Sequence, residues 1–371
     1  MRNLQLIEVE DLLYGAGIYG TGGGGSLEEA LATVRRLYAE GKQVALASLE
    51  DIGDDWLVAS PYYVGSVAPP SENIRKRLAG LTELPDEVST LAAQALQDYL
   101  GKPIQAVIAT ELGGNTSCAI ETAIRLNVPL IDGDPAGRAV PDLAHTTFHI
   151  FDVSISPFAL ANRFGDTIIV QHAVNHDRAE QIARSFATSS GNLAGVCDHP
   201  IEGSRLKHSV IPGTLSLSEC VGRARRLSLE EDRSPIENIV AAGNGRLLAI
   251  GKVLEANWKD AGGFIEGDVL IGSDDGEAAP LYIWFRNEFM LARRGDEILS
   301  VIPELISVLD RRTGMPILNP DCQTGMEVAV ITLPAPTYWE SEKGLSIFGP
   351  SYIGLENDLY FSIKERRASK T

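Results

Sequence analysis

The sequence is short of cysteine, and no run in it is apolar enough to cross a membrane. Its four cysteines, Cys118, Cys197, Cys220 and Cys322, are scattered, and none forms a C-x-x-C pair. This argues against a disulfide framework and fits a reduced compartment. No segment approaches the roughly 18 apolar residues of a membrane-spanning helix, and no long apolar run follows the arginine near the amino terminus. We therefore predict a cytoplasmic protein.

Basic residues and the common hydrolase motifs are also scarce. With 50 acidic and 32 basic side chains, the formal net charge is −18, which repels phosphate backbones and anionic lipid headgroups. Nucleic acid and membrane surfaces are therefore not expected partners. No G-x-S-x-G, H-E-x-x-H or cysteine–histidine signature occurs, so a standard serine hydrolase or zinc protease is disfavoured.

Apolar residues are plentiful, and their pattern changes near the middle of the chain. The 371 residues are 44% hydrophobic, enough for two domains. In the first half, PIQAVIATELGG, TSCAIETAIRLN and VPLIDGD predict a β-α-β unit with parallel strands. After about residue 235, strand-like runs between Gly, Asp, Asn and Pro turns predict a sandwich or barrel. We predict an α/β domain over residues 1–165 and a mostly β domain over residues 166–371, with two connecting helices.

Four consecutive glycines, Gly22, Gly23, Gly24 and Gly25, lie in YGTGGGGSLEEA between two predicted helices. A glycine-rich turn at a helix amino terminus presents unpaired N–H groups and a partial positive charge, which suits an anion. The ligand oxygen can equally be a carboxylate, an enolate or a phosphate. The alternative is a tight helix-to-helix crossing that simply requires glycine.

The residues around the glycine loop argue against a nucleotide. A P-loop needs Lys and then Ser or Thr after its last glycine, whereas Ser26 and Leu27 follow Gly25 here. A dinucleotide fingerprint needs a preceding strand, and the preceding segment is predicted as a helix. Ser26 and Glu29 instead form the capping-box pattern of a new helix.

Acidic residues end both strands of the β-α-β unit. Glu111 follows the first strand, and Asp132 and Asp134 follow the second. Open α/β sheets bind ligands beyond the carboxyl ends of their strands, and neighbouring strands lie about 4.8 Å apart. Carboxylates crowded there raise a pKa or recruit a cation. The alternative is that Asp132 and Asp134 only form Asx-turns and that Arg138 pairs with one of them.

Histidines recur at intervals of four. His145 and His149 lie in HTTFHI, and His172 and His176 lie in HAVNH, a spacing that lets two imidazoles on one helical turn share a metal. The β-branched, aromatic TTFHIFDV is predicted as a strand, however, which places such a pair too far apart to chelate. A satisfied polar role is the default, and His145 is the favoured ligand because it lies near the acidic DGD segment.

Motifs along nearly the whole chain resemble, in the same order, the S-methyl-thiohydantoin desulfurase-like family, which is linked to hydantoinase and oxoprolinase genes. They are GTGGGG, ELGGNTS, LIDGDPAGRAVPDLAHTTF, SSGNLAG, HSVIPGTLSLS, GGFIEG, FRNEFMLA and PELISVLDRRTGMPI. The resemblance implies an amino-terminal three-layer α/β/α domain and a carboxyl-terminal β-rich, barrel-like domain. It also implies metal-assisted, hydrolytic removal of sulfur from a five-membered thiohydantoin ring.

The chain departs from the family pattern at a few places. Cys118 and Glu121 stand where relatives tend to be more apolar, and Pro135 follows DGD where many have Gly-Met. We therefore predict a shifted substrate preference.

Two hypotheses follow. In the first, the protein hydrolyses a hydantoin- or thiohydantoin-like cyclic amide in a crevice between the domains, by a metal-bound or carboxylate-activated water. The predicted residues are Glu111, Asp132 and Asp134 for catalysis, Gly22, Gly23, Gly24, Gly25, Asn115, Thr116, Arg138, Thr146 and Lys207 for substrate, and Asp132, Asp134 and His145 for one divalent metal, with zinc favoured. The glycine-loop amides stabilise the oxyanion, and Arg138 and Lys207 hold a substrate carboxylate.

In the second hypothesis the protein is a non-catalytic, ligand-binding subunit or partner of a hydantoinase- or oxoprolinase-type enzyme. In both cases we expect a small cyclic amide as the ligand, a homo-oligomer, and hydantoinase-type proteins as partners.

Overall fold

The computed structural model describes residues 1–65, 70–84, 87–261, 264–274, 276 and 278–369. Pro85 and Asp86, at the start of a predicted helix, and Gly262 and Gly263, in the motif GGFIEG, lie outside the described residues. Among the described helices, none is both long and apolar enough to cross a membrane.

Helices and strands alternate up to residue 242. In chain order they are β1 (Arg2–Asn3), α1 (Leu6–Tyr19), α2 (Leu27–Ala39), β2 (Ala45–Ala47), β3 (Leu57–Gly65), α3 (Glu72–Leu78), α4 (Val88–Leu100), β4 (Ala106–Val107), α5 (Thr116–Leu126), β5 (Leu130–Ile131), β6 (Gly133–Asp134), α6 (Thr147–Ile150), β7 (Phe158–Ala161), β8 (Thr167–Val170), α7 (His176–Ser189), β9 (Leu193–Glu202), α8 (Gly203–Leu206), β10 (Ile211–Pro212), α9 (Thr214–Glu230) and α10 (Ile236–Ala242). The predicted alternation is therefore present.

Within the described residues, eight of these strands form one mixed sheet in the order β1-β2-β5-β4-β3-β9-β7-β8. The series β2, β5, β4, β3 is parallel, and the outer strands pair antiparallel. The predicted β-α-β unit is confirmed, because β4 and β5 are parallel neighbours joined by α5. Strands on both sides of the predicted domain boundary at residues 165 and 166 belong to this sheet.

The glycine loop joins α1 to α2, as predicted. The Ser26 hydroxyl accepts a hydrogen bond from the Glu29 N–H at 3.2 Å, which satisfies one orphan donor of the new helix. The buried positions of α2 follow a helical period, and they include Leu27, Leu31 and Val34. This apolar stripe fixes α2 against the core and so fixes the end of the glycine loop.

Strands dominate from residue 246 to residue 333, and helices follow them. The elements are β11 (Arg246–Asp260), β12 (Ile265–Ser273), β13 (Leu281–Arg286), β14 (Glu288–Arg294), β15 (Glu297–Val301), β16 (Leu305–Asp310), β17 (Glu327–Leu333), α11 (Glu342–Phe348) and α12 (Asp358–Ala368). The strands form an antiparallel sheet in the order β15-β14-β13-β12-β11-β17-β16. Because β16 approaches β14 and β15, the sheet curls into a half-barrel.

Alternation of buried residues along the strands explains the second sheet. In β13, Leu281, Ile283 and Phe285 are buried, and the residues between them are partly exposed. This period of two places one apolar face inside the half-barrel. Helices α11 and α12, which the sequence analysis did not predict, cover another part of the sheet through a cluster that includes Trp339 and Phe348.

The strand predicted over TTFHIFDV is wrong, because Thr147–Ile150 forms the short helix α6. Tertiary contacts override the β-branched composition here. The Thr147 hydroxyl donates to the Ser209 carbonyl at 2.6 Å. Phe148 and Ile150 enter two different core clusters, which one helical turn allows.

The glycine loop and the segment after Asp134 tie the two sheets together. The Phe289 N–H donates to the Thr21 carbonyl at 2.7 Å, and the Asn319 N–H donates to the Gly22 carbonyl at 2.8 Å. The buried Arg138 guanidinium donates to the carbonyls of Pro303 and Glu304 at 3.3 Å. The loop therefore lies at the junction of the α/β sheet and the half-barrel.

Candidate active site

Glu111 lies beyond the carboxyl end of β4 and is buried. Its two carboxylate oxygens accept hydrogen bonds from the Asn115 side chain at 2.9 Å and from the Val140 N–H at 3.0 Å. Burial raises the pKa of Glu111 to about 7, against the effect of these two hydrogen bonds. A carboxylate that is held in place and titrates near neutral pH is suited to acid–base chemistry.

A second buried glutamate, Glu288, comes from β14 of the half-barrel and was missed by the sequence analysis. Burial, and then the charge of Glu111, hold the pKa of Glu288 well above its usual range. Its Oε2 atom is buried without a hydrogen-bond partner among the described residues. A Cβ added at Gly23 would lie 2.0 Å from Glu288 Oε1, so this carboxyl group packs directly on the glycine loop.

The segment between Val140 and α6 adds further ionisable groups. The Tyr352 hydroxyl donates to Asp142 at 2.9 Å, and His145 Nδ1 lies 3.8 Å from the same carboxylate. Burial, followed by the charge of Arg138, lowers the pKa of His145 to about 3, so its imidazole is neutral at pH 7. The charges of Glu111 and Asp142 both act on Glu288, and we call these three carboxyl groups, together with the neighbouring His145, the carboxylate cluster.

Backbone N–H groups bind both Asp132 and Asp134, from a distant helix for Asp132 and from the next turn for Asp134. Asp132 accepts from the Ser216 N–H at 2.9 Å, so it caps α9. One oxygen of Asp134 accepts from the N–H groups of Ala136 and Gly137 at 2.8 and 2.7 Å, which is an Asx-turn. Asp134 Oδ1 is buried and has no hydrogen-bond partner among the described residues.

Asp134→Asn should retain the turn and change the pH dependence of stability. Burial raises the pKa of Asp134 to about 6. Wild-type stability should therefore be lost as the pH rises from about 4, the unfolded value, through about 6. Asn does not ionise, so relative to wild type the variant should gain about 2 to 3 kcal/mol between pH 4 and pH 8. Urea unfolding at both pH values measures this gain.

The same variant tests the predicted catalytic role. An equal stability difference at both pH values would contradict the raised pKa. Lost turnover at unchanged stability would instead support Asp134 as a catalytic residue.

The remaining predicted residues lie in several environments. Arg138 donates to backbone carbonyls and to the Thr21 hydroxyl, and its guanidinium lies 5.1 Å from the centre of the Phe348 ring. The Thr116 hydroxyl donates to the Glu111 carbonyl at 3.2 Å. Thr146, which follows His145 in the chain, is buried. Lys207 pairs with the exposed Asp54 at 2.6 Å and is not among the contacts of the cluster.

The three predicted metal ligands do not fit a shared cation. Asp132 and Asp134 direct oxygens at backbone N–H groups, as described above, and His145 faces Asp142. Within the described part of the chain, no group of three or more His, Cys, Asp or Glu side chains is already arranged around one metal position.

Two protein-family models together match nearly the whole chain. The model of the S-Me-THD-like N-terminal domain matches residues 7–172, and that of the S-Me-THD-like C-terminal domain matches residues 174–361. The chain belongs to the S-Me-THD-like family. The resemblance stated from the sequence motifs is thus confirmed. No curated protein gives a significant match.

A solved structure is similar to this S-Me-THD-like chain. It is the X-ray crystal structure of a protein from Chromobacterium violaceum, with a TM-score of 0.72 and 23% sequence identity over 96% of this chain and 98% of that chain. At this identity the likeness supports the fold alone.

Proposed function

We propose that this S-Me-THD-like protein is a hydrolase that removes sulfur from a thiohydantoin-like ring, or opens a related cyclic amide, beside the carboxylate cluster. Family membership supports the substrate class. The observation that carries the proposal is the pair of buried, electrostatically coupled carboxyl groups Glu111 and Glu288, of which Glu288 packs against the glycine loop. Two carboxyl groups with separated pKa values are a common arrangement for paired acid and base roles.

The surroundings of the two glutamates support different roles. Glu111 accepts two hydrogen bonds, which favour its ionised form, and its pKa of about 7 leaves a large ionised fraction at neutral pH. Glu288 has an unpartnered oxygen, and burial holds its pKa well above the usual range despite the opposing charge of Arg138, which favours the protonated form. Glu111 is therefore the general base and Glu288 the general acid.

The proposed step consumes one water and needs no oxidant. Glu111 takes a proton as the water oxygen bonds to the ring carbon that bears sulfur. Glu288 gives its proton to sulfur as the carbon–sulfur bond breaks, and the proton held by Glu111 replaces it. The second water proton ends on the ring nitrogen, and the products are a thiol and a ring carbonyl.

Turnover by the purified full-length protein tests this function. The panel contains S-methyl-thiohydantoins, thiohydantoins, hydantoins and 5-oxoproline, with thiol release measured by a thiol-reactive dye and ring loss by chromatography. We expect thiol release from at least one sulfur-containing ring. Stoichiometric binding of these rings without turnover would support the non-catalytic subunit instead.

The pH dependence of turnover should follow Glu111. Because burial raises its pKa to about 7, and only the ionised form accepts a proton, kcat/KM should rise roughly tenfold per pH unit below about 7 and then level off. Ionisation of Glu288 at higher pH should lower it again. A profile that is flat between pH 5 and pH 8 would contradict the role of Glu111.

A further inference from the structure

Helices α1 and α9 approach each other so closely that glycine is required at the crossing. A Cβ added at Gly15 would collide with the Ser218 carbonyl oxygen, and one added at Gly222 would collide with the Asp11 carbonyl oxygen. On one side of this crossing, long side chains of both helices enclose a surface groove of about 370 Å³, a volume within the range of small-ligand sites. We call this groove, between residues 7–14 of α1 and residues 225–230 of α9, the α1–α9 groove.

Arg225 lines the α1–α9 groove and is only 8% exposed. The Tyr14 ring covers one face of its guanidinium, whose central carbon lies 4.3 Å from the ring centre. Its Nε atom is buried and has no hydrogen-bond partner among the described residues. Burial lowers the pKa of Arg225 below its ordinary value, because a buried charge without an ionic partner is costly.

The acidic side chains that line the groove are each held by another arginine. They are Asp11 and Glu230, held by Arg226 at 2.8 and 2.9 Å, and Glu10, held by Arg35 at 2.6 Å. Within the described part of the chain, Arg225 is therefore the one guanidinium of the groove that forms no ion pair. The partner that its charge lacks is an anion from outside these two helices.

We propose that the α1–α9 groove binds a small monocarboxylate with an apolar body, whose carboxylate pairs with Arg225. The planar guanidinium matches a carboxylate in bidentate geometry, and its stacking on Tyr14 holds it in place. Ile7 and Leu229, which are 45% and 37% exposed, line the groove and offer apolar contact to the body of the ligand. The nearby acidic residues and the net charge of −18 disfavour a doubly charged phosphate.

The α1–α9 groove is separate from the carboxylate cluster, and the proposed hydrolytic step makes no use of it. Its residues come from 7–14 and 225–230, whereas the cluster is formed by residues 111, 142, 145 and 288. Binding at the groove can therefore be measured without turnover, and its failure would leave the proposed hydrolase function untouched.

Isothermal calorimetry with 4-methylpentanoate and the full chain tests the proposal. We expect one site per chain with a Kd of about 0.1 to 1 mM, as is reasonable for so small a ligand. The uncharged 4-methylpentanamide has the same apolar body, and it should bind at least about 10-fold more weakly. Inorganic phosphate should also bind at least about 10-fold more weakly.

Two arginine variants locate the binding. Arg225→Met removes the charge but keeps an unbranched side chain, and it should weaken binding at least about 10-fold. Arg223→Met makes the same change at an exposed position of α9 and should bind like wild type. Saturating 4-methylpentanoate should raise the melting temperature of wild type and of Arg223→Met but not that of Arg225→Met. If Arg225→Met does not fold, as judged by circular dichroism, Arg225→Gln takes its place.

No binding of 4-methylpentanoate by wild type, or equal binding of the amide, would overturn the proposal. Undiminished binding by the Arg225 variant, or an equal loss in Arg223→Met, would also overturn it. Analytical ultracentrifugation tests the other occupant of such a groove, a second copy of this chain. A dimer that Arg225→Met abolishes, without carboxylate binding by wild type, would assign the groove to that copy and contradict the small ligand.

Discussion

Glu288→Gln should lose turnover while keeping the fold. Gln has the shape of the protonated glutamic acid, and Oε2 of Glu288 has no hydrogen-bond partner among the described residues to lose. The amide cannot supply a proton to the departing sulfur, so kcat should fall about 10²- to 10⁴-fold. The melting temperature should stay close to that of wild type. Single-turnover thiol release and a melting curve measure the two effects.

Glu121→Gln is the matched control for this variant. Glu121 is also a buried glutamate, but it is held by Arg36 at 3.1 Å and Arg125 at 3.2 Å rather than by the glycine loop. Its neutralisation removes ion pairs, so stability should fall while turnover per folded molecule is kept. If Glu288→Gln behaves in the same way as Glu121→Gln, Glu288 is a structural residue and the assigned acid is wrong.

The sequence predicts Glu111 but not its partner, for a topological reason. Glu111 follows a strand of a β-α-β unit, and strand ends in open α/β sheets face ligands. Glu288 lies in the segment FRNEFMLA, directly after the polar Arg286 and Asn287 at a β-hairpin turn, and strand patterns do not reveal which other domain a residue meets. Because a glutamate next to a polar turn is usually exposed, the sequence gives no signal that Glu288 is buried.

The DGD segment shows a different limit of sequence-based prediction, since here the sequence suggested a site at residues that the fold gives backbone partners. A carboxylate that follows a strand can face a crevice or can bind nearby N–H groups, and both alternatives look the same in sequence. Here Asp132 meets the amino terminus of α9, which begins more than 80 residues later. This partner is far away in the sequence and becomes a neighbour of Asp132 only in the folded chain.

The histidines illustrate the same point at longer range. Spacing by four suggested the pairs His145–His149 and His172–His176. In the fold, His149 from the first pair stacks on His176 from the second, and His176 also lies near His199. Local periodicity did not identify this grouping, because α6 was predicted as a strand.

Gly23→Ala should disable the site through Glu288. The new methyl carbon would lie 2.0 Å from Glu288 Oε1, far inside contact distance, and the buried glutamate must move. A displacement of about 1 Å can lower turnover about 100-fold. Because both changes act on one carboxyl group, the losses from Gly23→Ala and Glu288→Gln should not add in the double variant. Turnover of the single and double variants measures this coupling.

Gly24 and Gly41 have nearly equal backbone strain. Comparing their alanine variants therefore distinguishes the effect of a new side-chain contact from the effect of backbone conformation. Gly24 has φ of 78°, and its added Cβ would lie 3.0 Å from the Leu112 carbonyl oxygen, whereas Gly41 has φ of 76° and an added Cβ would meet nothing within 4 Å. Each alanine variant should lose about 1 to 2 kcal/mol of stability from the left-handed backbone alone. Only Gly24→Ala should also reduce turnover per folded molecule, because its methyl group presses on the segment that follows Glu111. If the Gly23 and Gly24 variants lower only the melting temperature, as expected for Gly41→Ala, the glycine loop is a tight helix-to-helix crossing and not part of the site.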